Sequence, residues 1–209
     1  MVTKVGVLLS EPRPEPTTRA EFLRYSCEIT LDPNTAHEYL VLSEGNRKVT
    51  KTYKSVSSSH PDRFTECEQV LSKESLTGRC YWEVEWTDIK TTVAVAYKTI
   101  RRIGKGNQCR FGYNDRSWAL DCSQNTTHSS LLKSENYEFF HNNSKTSIFA
   151  PDSSTIGVYL DHRAGILAFY SVSETMTLIH RVQTTFTRPL HAGVFLQYCG
   201  DTAEFCQLK

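Results

Sequence analysis

The 209-residue sequence lacks long apolar runs and has almost no excess of charge of either sign. No stretch approaches the ~18 consecutive apolar residues of a membrane-spanning helix, so membrane insertion is not expected. A net charge of +1 gives no reason to expect binding to nucleic acid or to an anionic membrane surface. The hydrophobic content of 39% is ordinary for a folded globular chain, and the length fits one large all-β domain or at most two small ones.

Cysteine pairs at short spacing are also missing. The seven cysteines are odd in number and widely spaced, and none forms a C-x-x-C pair. This spacing argues against a zinc ribbon and against a disulfide framework. We therefore expect buried free thiols in a reducing compartment. The first ten residues have too short an apolar part for a signal peptide, so the expected location is cytoplasmic.

Catalytic and cofactor motifs are absent as well. Residues 104–106 read Gly-Lys-Gly, but a dinucleotide fingerprint needs glycine where Cys109 stands, and a P-loop needs Ser or Thr after Gly-Lys. No Gly-x-Ser-x-Gly motif supplies a nucleophile. Asp161 and His162 are adjacent, so on a strand their side chains diverge and do not form an orienter–base pair. The histidines have no metal-ligand spacing. The sequence predicts no enzyme, no cofactor and no metal site.

The clearest positive signal is a β-hairpin over residues 156–170. Two alternating apolar runs flank a short polar turn, and side chains on a strand point to opposite faces in turn. Gly165 ends the turn and supplies the positive φ that a three- to five-residue hairpin loop needs. Both faces of the hairpin are expected to be covered. The side chains predicted to share a face along each strand are Ile156, Val158 and Leu160, then Leu167 and Phe169.

Period-two alternation recurs along the chain and predicts further strands. The side chains predicted to share one face of residues 80–86 are Cys80, Trp82, Val84 and Trp86. Other strands are expected in residues 27–31, 40–42, 49–53, 93–97, 118–122, 137–141, 178–182, 192–196 and 202–206. Thr18 and Glu21 form a capping box that opens a short helix. The pattern predicts an all-β fold, a bent β-sandwich of two antiparallel sheets with a short N-terminal helix.

Five short motifs, in order along the chain, resemble the PRY-SPRY domain. This domain stands at the C-terminus of many tripartite-motif proteins and of fish NACHT-leucine-rich-repeat receptors. The PRY-like motifs are residues 31–36 and 42–49, and the SPRY-like motifs are residues 79–85, 117–120 and 159–170. The resemblance implies one domain over residues 17–209, with PRY to about residue 75 and SPRY from about residue 76. Prolines make residues 1–16 an extended linker or tail before it.

The resemblance also implies a function and points to one departure. The family's variable loops bind a protein ligand, here as the substrate- or pathogen-recognition part of an innate-immune ubiquitin ligase or receptor. Ligase activity would lie elsewhere, because the chain has no RING-type Cys/His array; upstream RING, B-box and coiled-coil segments, or a NACHT segment, are expected.

Residues 192–194 read Ala-Gly-Val where the family often has Pro-Gly-Phe. The aromatic side chain of that motif is therefore replaced by Val194 or displaced to Phe195.

Four loop segments are expected to form the binding surface: residues 54–63, 98–110, 121–135 and 198–202. Between residues 98 and 110 the basic loop holds cations and no acid, which suits an acidic partner, although a solvated loop without a partner has the same composition. Asp121 and Ser123 are carried over from the family's binding residues. The residues expected to contact a partner are Lys54, Ser55, His60, Arg63, Lys98, Arg101, Arg102, Lys105, Asp121, Ser123, Asn125, His128, Tyr198 and Asp201.

Two other functions stay open at this point. A carbohydrate-binding module would need an exposed tryptophan for sugar stacking, whereas Trp82 and Trp86 are predicted to face the core. By resemblance to stonefish-type pore-forming toxins, the chain is alternatively the C-terminal domain of an exported toxin. The glycosylation sequons at Asn125 and Asn142 matter only in that case.

Overall fold

The computed structural model describes residues 14–55, 59–87, 89–104, 106–123 and 136–208. Within them it has one α-helix, α1 (Arg19–Leu23), and 3₁₀ turns at Glu44–Asn46 and Gly106–Gln108. The strands are β1 (Leu40–Ser43), β2 (Lys48–Lys51), β3 (Gln69–Leu71), β4 (Arg79–Thr87), β5 (Lys90–Tyr97), β6 (Ser117–Ser123), β7 (Tyr137–His141), β8 (Ser144–Ile148), β9 (Thr155–Asp161), β10 (Ile166–Val172), β11 (Met176–Gln183), β12 (Leu190–Leu196) and β13 (Thr202–Phe205).

These strands form two antiparallel sheets, which confirms the predicted β-sandwich. The seven-stranded sheet has the order β1-β2-β13-β4-β9-β10-β11, and the six-stranded sheet has the order β3-β12-β5-β6-β7-β8. The main core lies between them and includes Trp82 and Phe169 from one sheet and Val95 and Val194 from the other. No helix in the described part of the chain is long and apolar enough to cross a membrane.

The β9–β10 hairpin forms as its alternation predicts. Leu160 pairs with Leu167 across the strands, and both are fully buried. Gly165 has a φ of 73°, and a Cβ at this position would lie 1.6 Å from the carbonyl oxygen of Thr184. Glycine is therefore required at residue 165 by both backbone conformation and space.

The outward face of the seven-stranded sheet is covered near its centre by α1. Thr18 Oγ1 accepts from the N–H of Glu21, and the Glu21 carboxylate accepts from the N–H of Thr18, so the predicted capping box forms. Phe22 then packs against Tyr81, with ring centroids 5.2 Å apart. In the predicted tail, Glu15 accepts from Arg181 Nε at 3.1 Å on the edge strand β11.

The outward face of the six-stranded sheet is partly covered by the loop between β5 and β6. Phe111 from this loop packs over Gly193, where a Cβ would lie 2.8 Å from the ring. Ala94 and Ala119 belong to the same buried cluster. Small side chains at these sheet positions let the loop lie flat on the sheet, and Phe64 from the β2–β3 loop contacts Phe111 edge-on.

Three details of the strand prediction need correction. Residues 27–31 do not form a strand. This segment and Ser26 before it pair with the rest of the protein only through two isolated β-bridges, from Ser26 to Tyr81 and from Leu31 to Ser72. The short strand β3 and the edge strand β8 were not predicted. The sequence of β8 is mostly polar and its first three residues are exposed, so it carries no alternating apolar signal.

The expectation of seven free thiols is wrong at two positions. Cys27 and Cys80 form a disulfide with a Cα–Cα distance of 5.6 Å. They are 53 residues apart in sequence, and the bridge between Ser26 and Tyr81 brings their backbones together. Such a pairing depends on tertiary structure and leaves no mark in cysteine spacing.

Candidate functional site

Three neighbouring strands of the seven-stranded sheet end together at one end of the sandwich. Thr202 of β13 pairs with Thr50 of β2 on one side and with Thr87 of β4 on the other. The loops next to these residues therefore emerge side by side. We call the surface they carry the tyrosine end, and it consists of Tyr53, Lys54, Ser55, Ile89 and Tyr198.

Large apolar side chains are exposed at the tyrosine end. Tyr53 is 87% exposed, Ile89 54% and Tyr198 47%. A single exposed apolar residue is ordinary, but three on adjacent loops make this end of the sheet a candidate interaction site. Tyrosine is also enriched among the residues that contribute most to protein–protein binding. Lys54 and Ser55, two of the predicted contacts, are exposed beside Tyr53.

Backbone hydrogen bonds hold the tyrosine end in shape. The N–H of Lys51 donates to the carbonyl of Asp201 at 3.0 Å, and the N–H of Gly200 donates to the carbonyl of Lys51 at 2.9 Å. Asp201 is only 2% exposed, and its carboxylate accepts from the N–H of Tyr198 at 2.7 Å. Asp201, predicted as a contact, is placed to close the turn that presents Tyr198.

The tyrosine end continues into the β2–β3 loop and then into the basic loop. Lys51 Nζ lies 3.2 Å from Glu68 Oε1 and donates to the carbonyl of Gln197 at 2.8 Å. Further along the β2–β3 loop, the N–H of Thr65 donates to the carbonyl of Arg102 at 3.1 Å. The β2–β3 loop thus contacts both the tyrosine end and the basic loop, although Ile89 and Lys98 lie at opposite ends of β5.

The cations of the basic loop have different environments. The Arg102 guanidinium donates to the carbonyls of Ile100 and Lys98 at 3.1 and 3.0 Å and lies 4.5 Å from the Phe64 ring centroid. Burial lowers its pKa. Arg101 and Lys98 are exposed, although Arg101 also donates to Gln108 Oε1 at 2.6 Å. Arg102 therefore shapes the loop, while Lys98 and Arg101 face solvent.

Two predicted contacts in the β2–β3 loop make intramolecular hydrogen bonds. Arg63 donates to the carbonyls of Ala36 and Pro33, which fastens the loop to the N-terminal segment. His60 is half-buried, and its Nδ1 accepts from the N–H of Asp62 at 3.1 Å. Lys105, Asn125 and His128 lie outside the described residues.

Asp121 lies on the outward face of the six-stranded sheet, and its carboxylate is paired there with a lysine of the same domain. It is only 3% exposed, accepts from Thr92 Oγ1 at 2.6 Å, and has Lys90 Nζ 3.1 Å from Oδ2. Lys90 Nζ is not oriented to donate a hydrogen bond to Asp121 Oδ2, so the contact between them is an ion pair. Ser123, the last residue of β6, is half-buried. The predicted roles of these two residues as contacts stay predictions.

The aromatic near the last strands is found at Phe195. Val194 is fully buried between the sheets, whereas Phe195 points to the outward face and is 8% exposed. The Arg110 guanidinium lies 5.0 Å from the Phe195 ring centroid and 4.7 Å from that of Tyr113. The aromatic side chain is therefore present on this face but is covered by arginine.

Sequence reasoning missed Tyr53 and Ile89. Neither belongs to a motif. Tyr53 was predicted to end a strand over residues 49–53, but β2 ends at Lys51, and Tyr53 lies in the loop that follows it. For Tyr53 the sequence offered one indication of exposure, because this residue stands between Thr52 and Lys54 in a polar segment. Within the described residues, no group of three His, Cys, Asp or Glu side chains is placed to hold a metal ion.

Two family matches cover most of the chain. Residues 29–76 match PRY, the SPRY-associated domain, and residues 79–208 match the SPRY domain. The domain limits expected at residues 17 and 76 stay predictions.

Relatives from two groups of proteins are more than 30% identical to this chain. Tripartite motif-containing protein 16 of Mus musculus is 37% identical over 188 residues, which are 88% of this chain and 32% of the relative. Stonustoxin subunit beta of Synanceia horrida is 35% identical over 189 residues, which are 89% of this chain and 25% of the relative. The chain thus spans about a third or less of the length of these relatives.

Solved structures share the fold. The stonustoxin structure matches with a TM-score of 0.79 and 32% identity, over 90% of this chain and 28% of that chain. The crystal structure of the TRIM65 PSpry domain also has a TM-score of 0.79, at 24% identity, over 93% of this chain and all of that one. At this lower identity the TRIM65 likeness concerns the fold alone.

Proposed function

This chain belongs to the PRY-SPRY family, and we propose that it binds a target protein through the tyrosine end and the basic loop, which the β2–β3 loop connects. The family's fold is a binding module. The observation that carries the proposal is the exposure of Tyr53, Ile89 and Tyr198 on three adjacent loops of one sheet end.

Backbone hydrogen bonds close to Tyr53 and Tyr198 support the proposal. Tyrosine has few rotatable bonds, so burying it at an interface costs little conformational entropy for a large contact area. The paired backbone bonds between Lys51 and residues 200–201 hold the neighbouring loops before any partner arrives. A preorganised loop leaves more of the contact energy for affinity.

Exposed cations on the tyrosine end and on the basic loop favour a partner with acidic groups. Lys54 is exposed at the tyrosine end, Lys98 and Arg101 are exposed on the basic loop, and Ile103 of that loop is 69% exposed. Charges at the rim of an interface raise the rate of association and help orient the partner. The proposed target therefore presents an apolar centre for the tyrosines and acidic residues toward the basic loop.

A catalytic role is not proposed, because the polar groups that resemble catalytic parts make structural contacts. Asp161 accepts from Arg79 Nε at 2.6 Å and from the N–H of Ala164 at 3.0 Å. His162 Nε2 lies 2.8 Å from the carbonyl of Arg188. A sugar-stacking role also lacks support, since Trp82, Trp86 and Trp118 are all buried.

For the parent protein we propose the tripartite-motif type, in which this domain selects targets for an innate-immune ubiquitin ligase or receptor in the cytoplasm. Similarity to tripartite motif-containing protein 16 supports this assignment. The second candidate, a domain of an exported toxin, is favoured by similarity to stonustoxin and by the Cys27–Cys80 disulfide, a bond typical of oxidising compartments.

Comparative affinity capture tests the binding function. The chain, the double variant Tyr53→Ala/Tyr198→Ala and the control Leu178→Ala are used as baits on the same cell extract. Leu178 is 48% exposed on β11, at the far edge of the seven-stranded sheet, so it matches the tyrosines in exposure but not in place. The proposal expects a protein that the chain and the control capture, that the double variant loses, and that binds directly when purified. If the double variant captures the same proteins as the chain and the control, the proposal is contradicted.

A further inference from the structure

Two cysteine sulfurs from different loops lie next to each other under the proposed binding surface. Cys67 is in the loop between β2 and β3, and Cys109 is in the loop between β5 and β6, 42 residues later. Their Sγ atoms are 3.1 Å apart. Both residues are buried, with Cys67 7% exposed and Cys109 0% exposed.

The backbones that carry these sulfurs are held in place by buried hydrogen bonds. Gln69 Nε2 donates to the carbonyl of Cys109 at 2.6 Å, and Gln69 Oε1 accepts from the N–H of Phe111 at 3.2 Å. Cys109 Sγ also lies 2.9 Å from the carbonyl oxygen of Gly104. The close approach of the sulfurs is therefore part of how the two loops pack.

We propose that Cys67 and Cys109 are an oxidisable thiol pair, which hydrogen peroxide converts into a second disulfide that fastens the β2–β3 loop to the β5–β6 loop. A disulfide needs the sulfurs about 2.05 Å apart, so they must approach by roughly 1 Å. That movement is small enough for side-chain rotation within the packed loops. The pair differs from Cys122, which is buried in β6 and has no such neighbour in any described contact.

The reaction balances with peroxide as the oxidant. One sulfur, as thiolate, attacks an oxygen of hydrogen peroxide; an S–O bond forms, the O–O bond breaks, and the released hydroxide takes up a proton to become water. The second sulfur then attacks the sulfenic acid, an S–S bond forms, and the hydroxyl leaves with the second thiol proton as another water. Two thiols are oxidised, and one peroxide is reduced to two waters.

The pair is suited to supply the thiolate. The hydrogen bond between the two sulfurs lowers the pKa of Cys109 to about 7, and the same bond together with burial raises the pKa of Cys67. Cys109 is thus the sulfur of the pair that more readily forms the thiolate. Cys109 is therefore the sulfur that attacks the peroxide, and Cys67 is the thiol that then attacks the sulfenic acid.

The disulfide would act on the geometry of two loops assigned to partner binding. It would add a covalent link to contacts that already exist, the Thr65–Arg102 backbone bond and the Phe64–Phe111 ring contact. Its formation requires no partner protein. If the domain proves to bind no partner, the disulfide can still form. If the disulfide does not form, partner binding is still possible.

Peptide mapping of the full chain tests the proposal. The chain is reduced in denaturant, refolded, desalted, treated with hydrogen peroxide, alkylated with N-ethylmaleimide in denaturant and digested with trypsin without reduction. The predicted product joins the peptide of residues 64–73 to that of residues 106–110, and it disappears when dithiothreitol is added before digestion. The peptides that contain Cys27 and Cys80 serve as the internal control: both carry maleimide in a sample taken after reduction in denaturant and before peroxide, and they are cross-linked after refolding and peroxide treatment, which shows that oxidation took place.

Matched variants give the contrast. Cys67→Ser should abolish the new cross-link and leave Cys109 alkylated, whereas Cys122→Ser should keep the cross-link at the wild-type yield. The wild-type map decides the question without any substitution, so a poorly folded variant does not weaken the test. The proposal is overturned if the Cys27–Cys80 link forms while both peptides of the pair carry maleimide, carry sulfinic or sulfonic acid, or are joined to other cysteines.

Discussion

Lys51 and Asp201 are joined by a backbone hydrogen bond of 3.0 Å from the N–H of the first to the carbonyl of the second. The carbonyl of Lys51 accepts in turn from the N–H of Gly200 at 2.9 Å. Tyr53 follows Lys51 by two residues, and Tyr198 precedes Gly200 by two. The two exposed tyrosines of the tyrosine end are therefore presented by loops that are bonded to each other.

Loss of these tyrosines should weaken partner binding without weakening the fold. For Tyr53→Ala/Tyr198→Ala we expect at least about a tenfold loss of affinity, equal to ~1.4 kcal/mol, because interface tyrosines commonly contribute this much. The melting temperature should stay within a degree or two, since neither side chain belongs to the core. Isothermal titration and thermal melts measure the two quantities. Equal loss with Leu178→Ala would show that the effect is not specific to this surface.

The two adjacent arginines of the basic loop should respond differently to charge reversal. Arg102→Glu should lower the free energy of unfolding by about 1–3 kcal/mol, because it places a carboxylate beside the carbonyls of Ile100 and Lys98 and on the Phe64 ring. Arg101→Glu should leave stability nearly unchanged and weaken binding to an acidic partner. Urea unfolding of both variants measures this contrast, and equal stability of the two would disprove the structural role of Arg102.

A methyl group at Gly193 should disturb the loop that lies on the six-stranded sheet. The new Cβ would meet the Phe111 ring at 2.8 Å and the carbonyl of Val70 at 3.1 Å. We expect Gly193→Ala to cost about 1–3 kcal/mol of stability, as overpacking usually does. Gly78→Ala is the matched control, because nothing lies within 4 Å of a Cβ there. Chemical denaturation should separate the two variants; if they are equally stable, Phe111 is not packed against the sheet as described.

Stability should fall as the pH drops below neutral. His37 and His191 are buried, and burial lowers the pKa of each below its usual 6.5. The unfolded chain therefore binds protons that the folded chain does not, so this stabilisation is present above about pH 6.5 and is lost as the pH falls toward the folded-state pKa. Urea midpoints at pH 7.5 and pH 6.0 should show the decrease, and His37→Gln should reduce it. An unchanged or rising midpoint at pH 6.0 would contradict this assignment.

The sandwich was predictable because its central strands carry their own signal. Residues 80–86 and 156–170 alternate regularly, and Gly165 has the conformation that its place in the turn requires. The disulfide between Cys27 and Cys80 was not predictable, since nothing local records which distant strand a cysteine will meet. The contact between Cys67 and Cys109 was not predictable for the same reason, because these residues are 42 positions apart in the sequence.

The candidate site was only partly predictable from sequence. Composition located the basic loop but did not reveal that Arg102 lies on Phe64 while Arg101 faces solvent. Asp201 was predicted as a partner contact, and in the structure its carboxylate closes a turn. Tyr53 was missed because exposure of an aromatic depends on which loops neighbour it, and that is fixed by strand order rather than by any local pattern.

Hydrogen exchange of the domain with and without its captured partner tests the location of the binding surface most directly. Amides of residues 51–55, 98–104 and 197–201 should exchange more slowly in the complex, while those of the edge strand β11 should be unaffected. Protection confined to β11 or to the face covered by α1, with the tyrosine end exchanging as in the free domain, would contradict the proposed recognition surface.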